Sequence, residues 1–475
     1  MFYGREYYLG LLAELLDKPT ASVVTCRGRR RIGKSTLFEE FARRNRCRFL
    51  KLEGLTPDET IGDLAQRTAF GRQLAEQTSL PRLVPEDWLQ AFQLLDSAIR
   101  DDEWTVVLLD EISWMGSRAA DFPGDLKIAW DNRFRKHDRL ILVLCGSVSS
   151  WITENIINST GFVGRRTYDF VLPELPLRDA VRFWGESLER RSSREVLDIL
   201  SLTGGVPRYL EEMNFALSAE ENARRQFFRP EGYLFQDFRA IFDRVLGRKK
   251  ERSRRILEAL AEGPLTVSEI ARALDITRSG YLSQDIRNLD ASGFIAEEQG
   301  VNPETGEKAL QTRYRIKDCY SRFHLRYVQP EGERIAKGLF DGAALAQTPG
   351  WDALMGLQFE TLVVNNFRDL LPPLGLEGVE IRSAAPYVKR GRKGEGCKID
   401  LLIQTDRVAY VVEVTRRREI GMEVVEEMRR KVARIPFRKG VSTRTVLVYE
   451  GELNAQAIRA HAFDFLVPAS RLIGR

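Results

Sequence analysis

The stretch GRRRIGKS, Gly28 to Ser35, constrains this chain more than any other part of it. It fits G-x-x-x-x-G-K-[ST] and stands between an apolar run, SVVTCRG, and a helical pattern, STLFEEFARR. A turn in that setting wraps successive backbone N–H groups around phosphate oxygens, with the dipole of the following helix aimed at the same point. Gly28 and Gly33 let the backbone curl. Lys34 would reach the β- and γ-phosphates, and the Ser35 hydroxyl would ligate Mg²⁺. Arg29, Arg30, Arg31 and Ile32 complete the loop and Thr36 follows it, so the implied ligands are ATP and Mg²⁺.

The surroundings extend the argument. SVVTCRG, RFLKLEG, WTVVLLD and RLILVLCGS are short runs rich in Val, Leu and Ile, and amphipathic stretches fall between them. Buried strands alternating with helices predict an α/β domain with a parallel sheet covered on both faces. TVVLLDE ends such a strand on Asp110 and Glu111. Asp110 would hold Mg²⁺, and Glu111 would orient or deprotonate the attacking water.

Beyond about residue 172 the pattern turns helical, interrupted by TGGVPRYL. Residues 249–316 read as three helices and a hairpin, a winged helix-turn-helix. In RSGYLSQDIRNLDASG, Leu282, Ile286 and Leu289 recur at helical spacing, which turns Ser279, Ser283, Gln284, Arg287 and Asn288 outward. Ser279, Gln284, Arg287 and Asn288 suit base-edge or phosphate contacts in a DNA groove, and equally the solvated face of a packing module.

Near the C-terminus, KIDLLIQTDRVAYVVEVTRRR reads as a β-hairpin carrying Asp400 and Glu413, preceded by a helical WDALMGLQFETLVVNNFRDLL that carries Glu360. An even loop centred on Thr405–Asp406 puts Asp400 opposite Val411 and diagonal to Glu413. Diagonal pairs lie about 7–8 Å apart, within reach of one shared cation, so Asp400 and Glu413 are candidate metal ligands. Ile399, Leu401, Ile403, Val408, Tyr410 and Val412 would share the buried face. Lys398 would stand opposite Glu413 as a source of positive charge. The plainer alternative is an edge hairpin with a solvated acidic face.

Composition sets outer limits. A chain of 475 residues with 43% hydrophobic and 30% charged residues suits roughly three domains, and a net charge of +5 permits a polyanionic partner without requiring one. The five cysteines form no C-x-x-C pair, which argues against a disulfide framework or a zinc site. No apolar run approaches the ~20 residues that span a bilayer, so no membrane partner is expected and the location expected is cytoplasmic.

Taken in order, FYGREYYLGLL, GRRRIGKST, LLDE, LCGS and TGGVPRYL resemble the archaeal-type ATPases of the STAND branch of P-loop NTPases. The resemblance implies that Arg5 lies near the base and that Ser147 senses the γ-phosphate. It also implies that Gly205 and Pro207 sense the bound nucleotide and that Arg165 or Arg166 supplies a charge-stabilising guanidinium. Helix Glu360, strand Asp400 and Glu413 resemble the PD-(D/E)XK nuclease pattern, except that Thr415 stands where a lysine is expected. The implied architecture is a P-loop core over residues 1–165, a helical lid over 166–246, a winged helix over 247–330 and a restriction-endonuclease-like α/β domain over 331–475. The implied activity is ATP hydrolysis coupled to a DNA-engaging C-terminal domain with a nuclease-like site at Glu360, Asp400 and Glu413, with a protein partner or self-association as a further prospect. Two other classes fit the same motifs. One is an AAA+ DNA-remodelling or initiator-like motor, and the other is an ATP-dependent switch or scaffold that cuts nothing.

Overall fold

The structure, a computed structural model, describes residues 2–56, 60–147, 150–238, 250–309, 311–340, 350–389 and 396–475. The expected boundary between residues 246 and 247 lies outside them. The chain forms two compact units, Met1–Glu174 with Ala291–Gly293, and Leu175–Asp290 with Phe294–Arg475.

The first unit is built on five strands: β1 Ser22–Gly28, β2 Arg48–Glu53, β3 Thr105–Asp110, β4 Leu140–Ser147 and β5 Arg166–Val171. All pair in parallel, in the order β2-β3-β4-β1-β5. Every residue of β3 is buried, and since successive side chains point to opposite faces, both faces of the sheet are covered there. Helix Lys34–Asn45 buries Leu37, Phe38 and Phe41. Elsewhere Trp88, Phe92, Phe122 and Phe134 form an aromatic cluster with edge-to-face contacts.

Strand β5 departs from the sequence reading, which ended the core at residue 165. RTYDFV lacks the apolar run of a central strand because it lies at the sheet edge, where no residue of it is fully buried. It nonetheless extends the P-loop sheet, so the core runs past residue 165.

The second unit opens with short helical segments Leu177–Ala180 and Val181–Arg190, followed by helices Ser193–Thr203, Pro207–Glu211 and Ala219–Phe227. Gly205, in the turn between Thr203 and Pro207, is there for steric reasons. Its carbonyl accepts from the Leu175 amide at 2.8 Å, and a Cβ would meet the Leu175 carbonyl oxygen at 2.1 Å. Gly205→Ala is expected to destabilise this unit by about 1–3 kcal/mol, read as a lower denaturant midpoint. An unchanged midpoint would show that the turn yields freely.

Helices Lys250–Leu260, Val267–Ala273 and Gly280–Ala291, with β6 Leu265–Thr266, β7 Ile295–Glu298 and β8 Arg313–Ile316, make the winged helix. Thr266 and Glu269 close a capping box at the second helix. Beyond it come helix Trp351–Asn365 and a mixed sheet of β9 Ser383–Lys389, β10 Cys397–Gln404, β11 Val408–Ile420, β12 Ser442–Leu453 and β13 Phe465–Pro468. Its order is β13-β12-β11-β10-β9, and helix Met422–Arg434 lies in the connection from β11 to β12. Helix Trp351–Asn365 is buried at nine positions, including Gln358 and Thr361, instead of along one stripe. Those two polar residues receive the Arg322 guanidinium at 2.9 and 2.6 Å, which compensates an otherwise unfavourable burial.

Candidate functional site

The phosphate loop closes the C-terminal end of β1. Gly28 is fixed by contact, since a Cβ there would meet the Leu172 carbonyl oxygen at 2.8 Å. Gly33 has φ +86° and Arg31 φ +69°, a left-handed backbone that the glycine adopts without strain. Lys34 is buried, and its ammonium donates to the carbonyls of Gly28 and Arg29 at 3.1 and 3.2 Å. Arg5, also buried, donates to the Ile32 carbonyl at 3.2 Å and so braces the loop from outside. Arg29 reaches Glu174 at 3.7 Å, and the Arg30 guanidinium lies 4.9 Å over the Trp114 ring. Thr36 is exposed in the first turn of the following helix.

The acidic partners stand two strands away. The Ser35 hydroxyl hydrogen-bonds the Asp110 carboxylate. Glu111 takes a left-handed backbone, φ +49°, directly after β3. Strand β4 lies between, with Ser147 registered against Gly28. The Ser147 amide and hydroxyl both donate to Glu111 Oε2, each at 3.3 Å. Ser147 therefore steadies Glu111 from the strand end that adjoins Gly28 of the loop.

Arg165 and Arg166 are elsewhere. Arg166 pairs with Val23, at the opposite end of β1 from the loop, about 16 Å away at 3.3 Å per residue. Arg165 makes a two-pronged ion pair with Asp131 at 2.7 and 3.0 Å, which holds that carboxyl down to about 2. The expectation that either reaches the phosphates is corrected: β5 runs parallel to β1, so its first residue starts at the far end.

On the winged helix, Leu282, Ile286 and Leu289 are buried as expected, Ser279 and Arg287 are exposed, and Ser283, Gln284 and Asn288 are half-buried. Arg287 donates to Gln284 at 2.6 Å, and Gln284 to Asn288 at 3.1 Å. The wing is tied down: the Val301 amide donates to Ser383 Oγ, Gln404 to the Val301 carbonyl, and the Arg438 amide to the Pro303 carbonyl, at 3.2, 2.8 and 2.9 Å.

In the C-terminal sheet the hairpin turn is even, but it centres on Asp406–Arg407, closed by Thr405 and Val408. Val411 consequently faces Leu402, and Leu401 faces Val412. One step further along, Asp400 comes opposite Glu413 instead of diagonal to it. The Asp400 carboxylate accepts from the Val414 amide at 2.9 Å, and the β9–β10 register shifts between Ile399 and Leu402. That bulge corrects the expected faces, because Ile399 joins Leu402, Val411 and Met428 in one core cluster.

Lys398 does not meet Glu413. Its ammonium lies 2.7 Å from Glu360 and 3.4 Å from Asp400. The cation on Glu413 is Lys431 of helix Met422–Arg434, at 2.5 Å, which also reaches Glu427 at 3.0 Å. Burial, then the charge of Asp400, pushes the Glu413 carboxyl up to about 8 against the pull of Lys431. The same two causes raise Glu360, with Lys398 opposing. Glu413 Oε2 is buried without a hydrogen-bond partner. Among the described residues no three His, Cys, Asp or Glu side chains converge as a metal-binding group.

Comparison with known proteins bears on the first unit above all. Residues 2–213 match the family of ATPase domains predominantly from Archaea, and residues 253–298 match a helix-turn-helix domain. The chain carries an archaeal-type ATPase domain. It is similar, at 25% identity over 431 residues and 87% of each chain, to an uncharacterised protein of Methanocaldococcus jannaschii. A Walker-type ATPase of Pyrococcus abyssi superposes with TM-score 0.51 and 19% identity over 68% of this chain and 96% of its own. That likeness shows the P-loop ATPase fold.

The protein is thus an ATPase, and the loop geometry suits Mg²⁺: Ser35 and Asp110 bring two hard oxygen donors into contact at the strand end. They would hold the ion, which when bound would neutralise charge on the phosphate oxygens. Lys34 would turn from its loop carbonyls to the phosphates, and Glu111, tethered by Ser147, would accept the proton of the attacking water. Among the described residues no helix is long and apolar enough to cross a membrane.

Proposed function

We propose that this chain is a STAND-type regulatory ATPase whose nucleotide state governs a DNA-engaging C-terminal domain with a metal-dependent nuclease centre. The observation that carries the reading is the meeting of Asp400, Glu413 and Lys431, with Glu413 Oε2 unpartnered and buried beside Asp400. A buried carboxyl that burial and a neighbouring carboxylate keep protonated would give up that proton to a cation bound between the two. Two carboxylates suffice for Mg²⁺ when water and a substrate phosphate complete its shell. Lys431 would supply the charge that Thr415 cannot. Glu360 would stand behind Asp400, held by Lys398.

A connection inside the second unit supports the regulatory half. Helix Ser193–Thr203, which leads into Gly205 and Pro207, carries Asp198, and the Arg416 guanidinium of β11 donates to it at 2.6 Å. Gln358 of the Glu360 helix donates to the Ser201 carbonyl at 2.8 Å. A displacement of the sensor turn would bear directly on the strand that holds Glu413.

DNA engagement would fall to the outer face of helix Gly280–Ala291, since the wing is hydrogen-bonded to the C-terminal sheet. Arg287→Ala is expected to weaken duplex binding and to lower the slope of log K against log salt by about one, as one phosphate contact requires. A salt titration by fluorescence anisotropy reads both. Affinity and slope identical to wild type would make the winged helix a packing module.

A further inference from the structure

Strand β2 is an edge of the ATPase sheet, so its outward N–H and C=O groups have no neighbouring strand. Helix Asp63–Gln77 covers that edge in an unusual manner. Gln77 accepts from the Lys51 amide at 2.9 Å and donates to the Lys51 carbonyl at 2.7 Å. Gln73 does the same for Glu53, at 2.8 and 2.9 Å, and Gln66 for Leu55, at 2.9 Å both ways. Three carboxamides, on one helix face, thus imitate the pairing of a sixth strand.

The end of β2 fixed in this way clasps the acidic turn. Glu53 is registered against Asp110, and the Gly54 amide donates to the Asp110 carbonyl at 3.0 Å. Gly54 lies so close to the turn that a Cβ would meet the Glu111 carbonyl oxygen at 2.8 Å. The Lys51 ammonium lies 3.8 Å from the Asp110 carboxylate. Glu111 is therefore steadied from β4 through Ser147 and bounded from the β2 side through Gly54. The phosphate loop hangs on β1, which does not adjoin β2.

We propose that Gln73 and Gln77 are positioning residues for ATP hydrolysis: they hold the end of β2 against the Asp110–Glu111 turn and so set the aim of the catalytic carboxylate. Gln66 extends the same ladder and is itself buried. Covering the edge alone would need no such two-way bonding at successive outward positions. A turn displaced by a fraction of an ångström would still admit Mg²⁺ and ATP but would misalign the water.

The test uses the full chain with Gln73→Met and Gln77→Met combined. Both rungs are accessible to water, which can replace the lost bonds, so the fold survives while the strand end loses its fixed position. Expected is a fall in kcat on the order of tenfold, with the Kd for Mg²⁺·ATP unchanged. Gln73→Glu keeps the acceptor for the Glu53 amide and should fall between wild type and the double variant. It also carries the test if the double variant fails to fold. A kcat within about twofold of wild type, with or without self-association, would reduce the ladder to an edge cover. A loss of ATP affinity equal to the loss of kcat would place its role in binding and overturn the proposal as well.

Discussion

Glu111→Gln is expected to bind Mg²⁺·ATP as the wild type does and to hydrolyse it roughly a hundredfold more slowly. The change preserves the shape and the acceptor that Ser147 uses, since a carboxamide oxygen can take the same two hydrogen bonds at 3.3 Å. What it removes is the base. Lys34→Ala acts at the other step, because the ammonium that sits among the loop carbonyls is the charge available to the β- and γ-phosphates. It is expected to abolish nucleotide binding, read with a fluorescent ATP analogue, and turnover with it. Phosphate release measured under saturating ATP separates the two variants. Equal turnover in wild type and Glu111→Gln would remove Glu111 from the chemistry, and Ser147 would then be the remaining candidate near the γ-phosphate.

The parts of this site legible in the sequence are those fixed by local chemistry. A P-loop needs glycine where φ is positive or where backbone passes close, and Gly28 and Gly33 meet those two needs separately. Asp110 is readable because a short run rich in Val and Leu that ends on a carboxylate, downstream of a phosphate loop, reads as the end of a buried strand beside that loop. For Ser147 the sequence shows the strand end on which it sits, while its two hydrogen bonds to Glu111 depend on a pairing across strands that no local pattern carries.

What escaped the sequence depends on pairing across long separations. A two-residue turn in TDRV can centre on Thr405–Asp406 or on Asp406–Arg407 with the same faces buried, so alternation alone leaves two registers open. The register shift between Ile399 and Leu402 has no composition signal, since it lies in the pairing of β10 with β9 and not in the run of residues itself. Lys431 was missed for a similar reason. It is one of several basic residues on a helix whose polar face reads as solvated, and only the crossover from β11 turns it onto Glu413. The glutamine ladder shows the same limit: Gln66, Gln73 and Gln77 share a helix face, yet nothing local says that a strand edge lies against it.

The relocation of the cation leads to the most demanding expectation. Lys431→Met and Asp400→Asn should each lower Mg²⁺- or Mn²⁺-dependent plasmid cleavage roughly a hundredfold or more, with duplex binding retained. Lys398→Met should matter less, because its side chain is 43% exposed and paired with Glu360, whereas that of Lys431 is 14% exposed and paired with Glu413. Removing Lys431 also leaves Glu413 buried without its partner, a change of about 3–5 kcal/mol in comparable pairs, so lost activity alone would be ambiguous. The pH dependence resolves it. The Glu413 carboxyl is raised above its unfolded value, so its contribution to stability is full below the ordinary carboxylate range and is lost as pH rises through about 8. Lys431→Met should steepen that loss, and Lys431→Met with Glu413→Gln should restore stability by replacing the charge with a neutral amide. If the stable double variant regained cleavage, neither group would belong to the reaction. If wild-type protein cuts nothing with either metal, with ATP or without it, the carboxylates and their two lysines are a structural ion-pair network, and the C-terminal domain binds DNA without cleaving it.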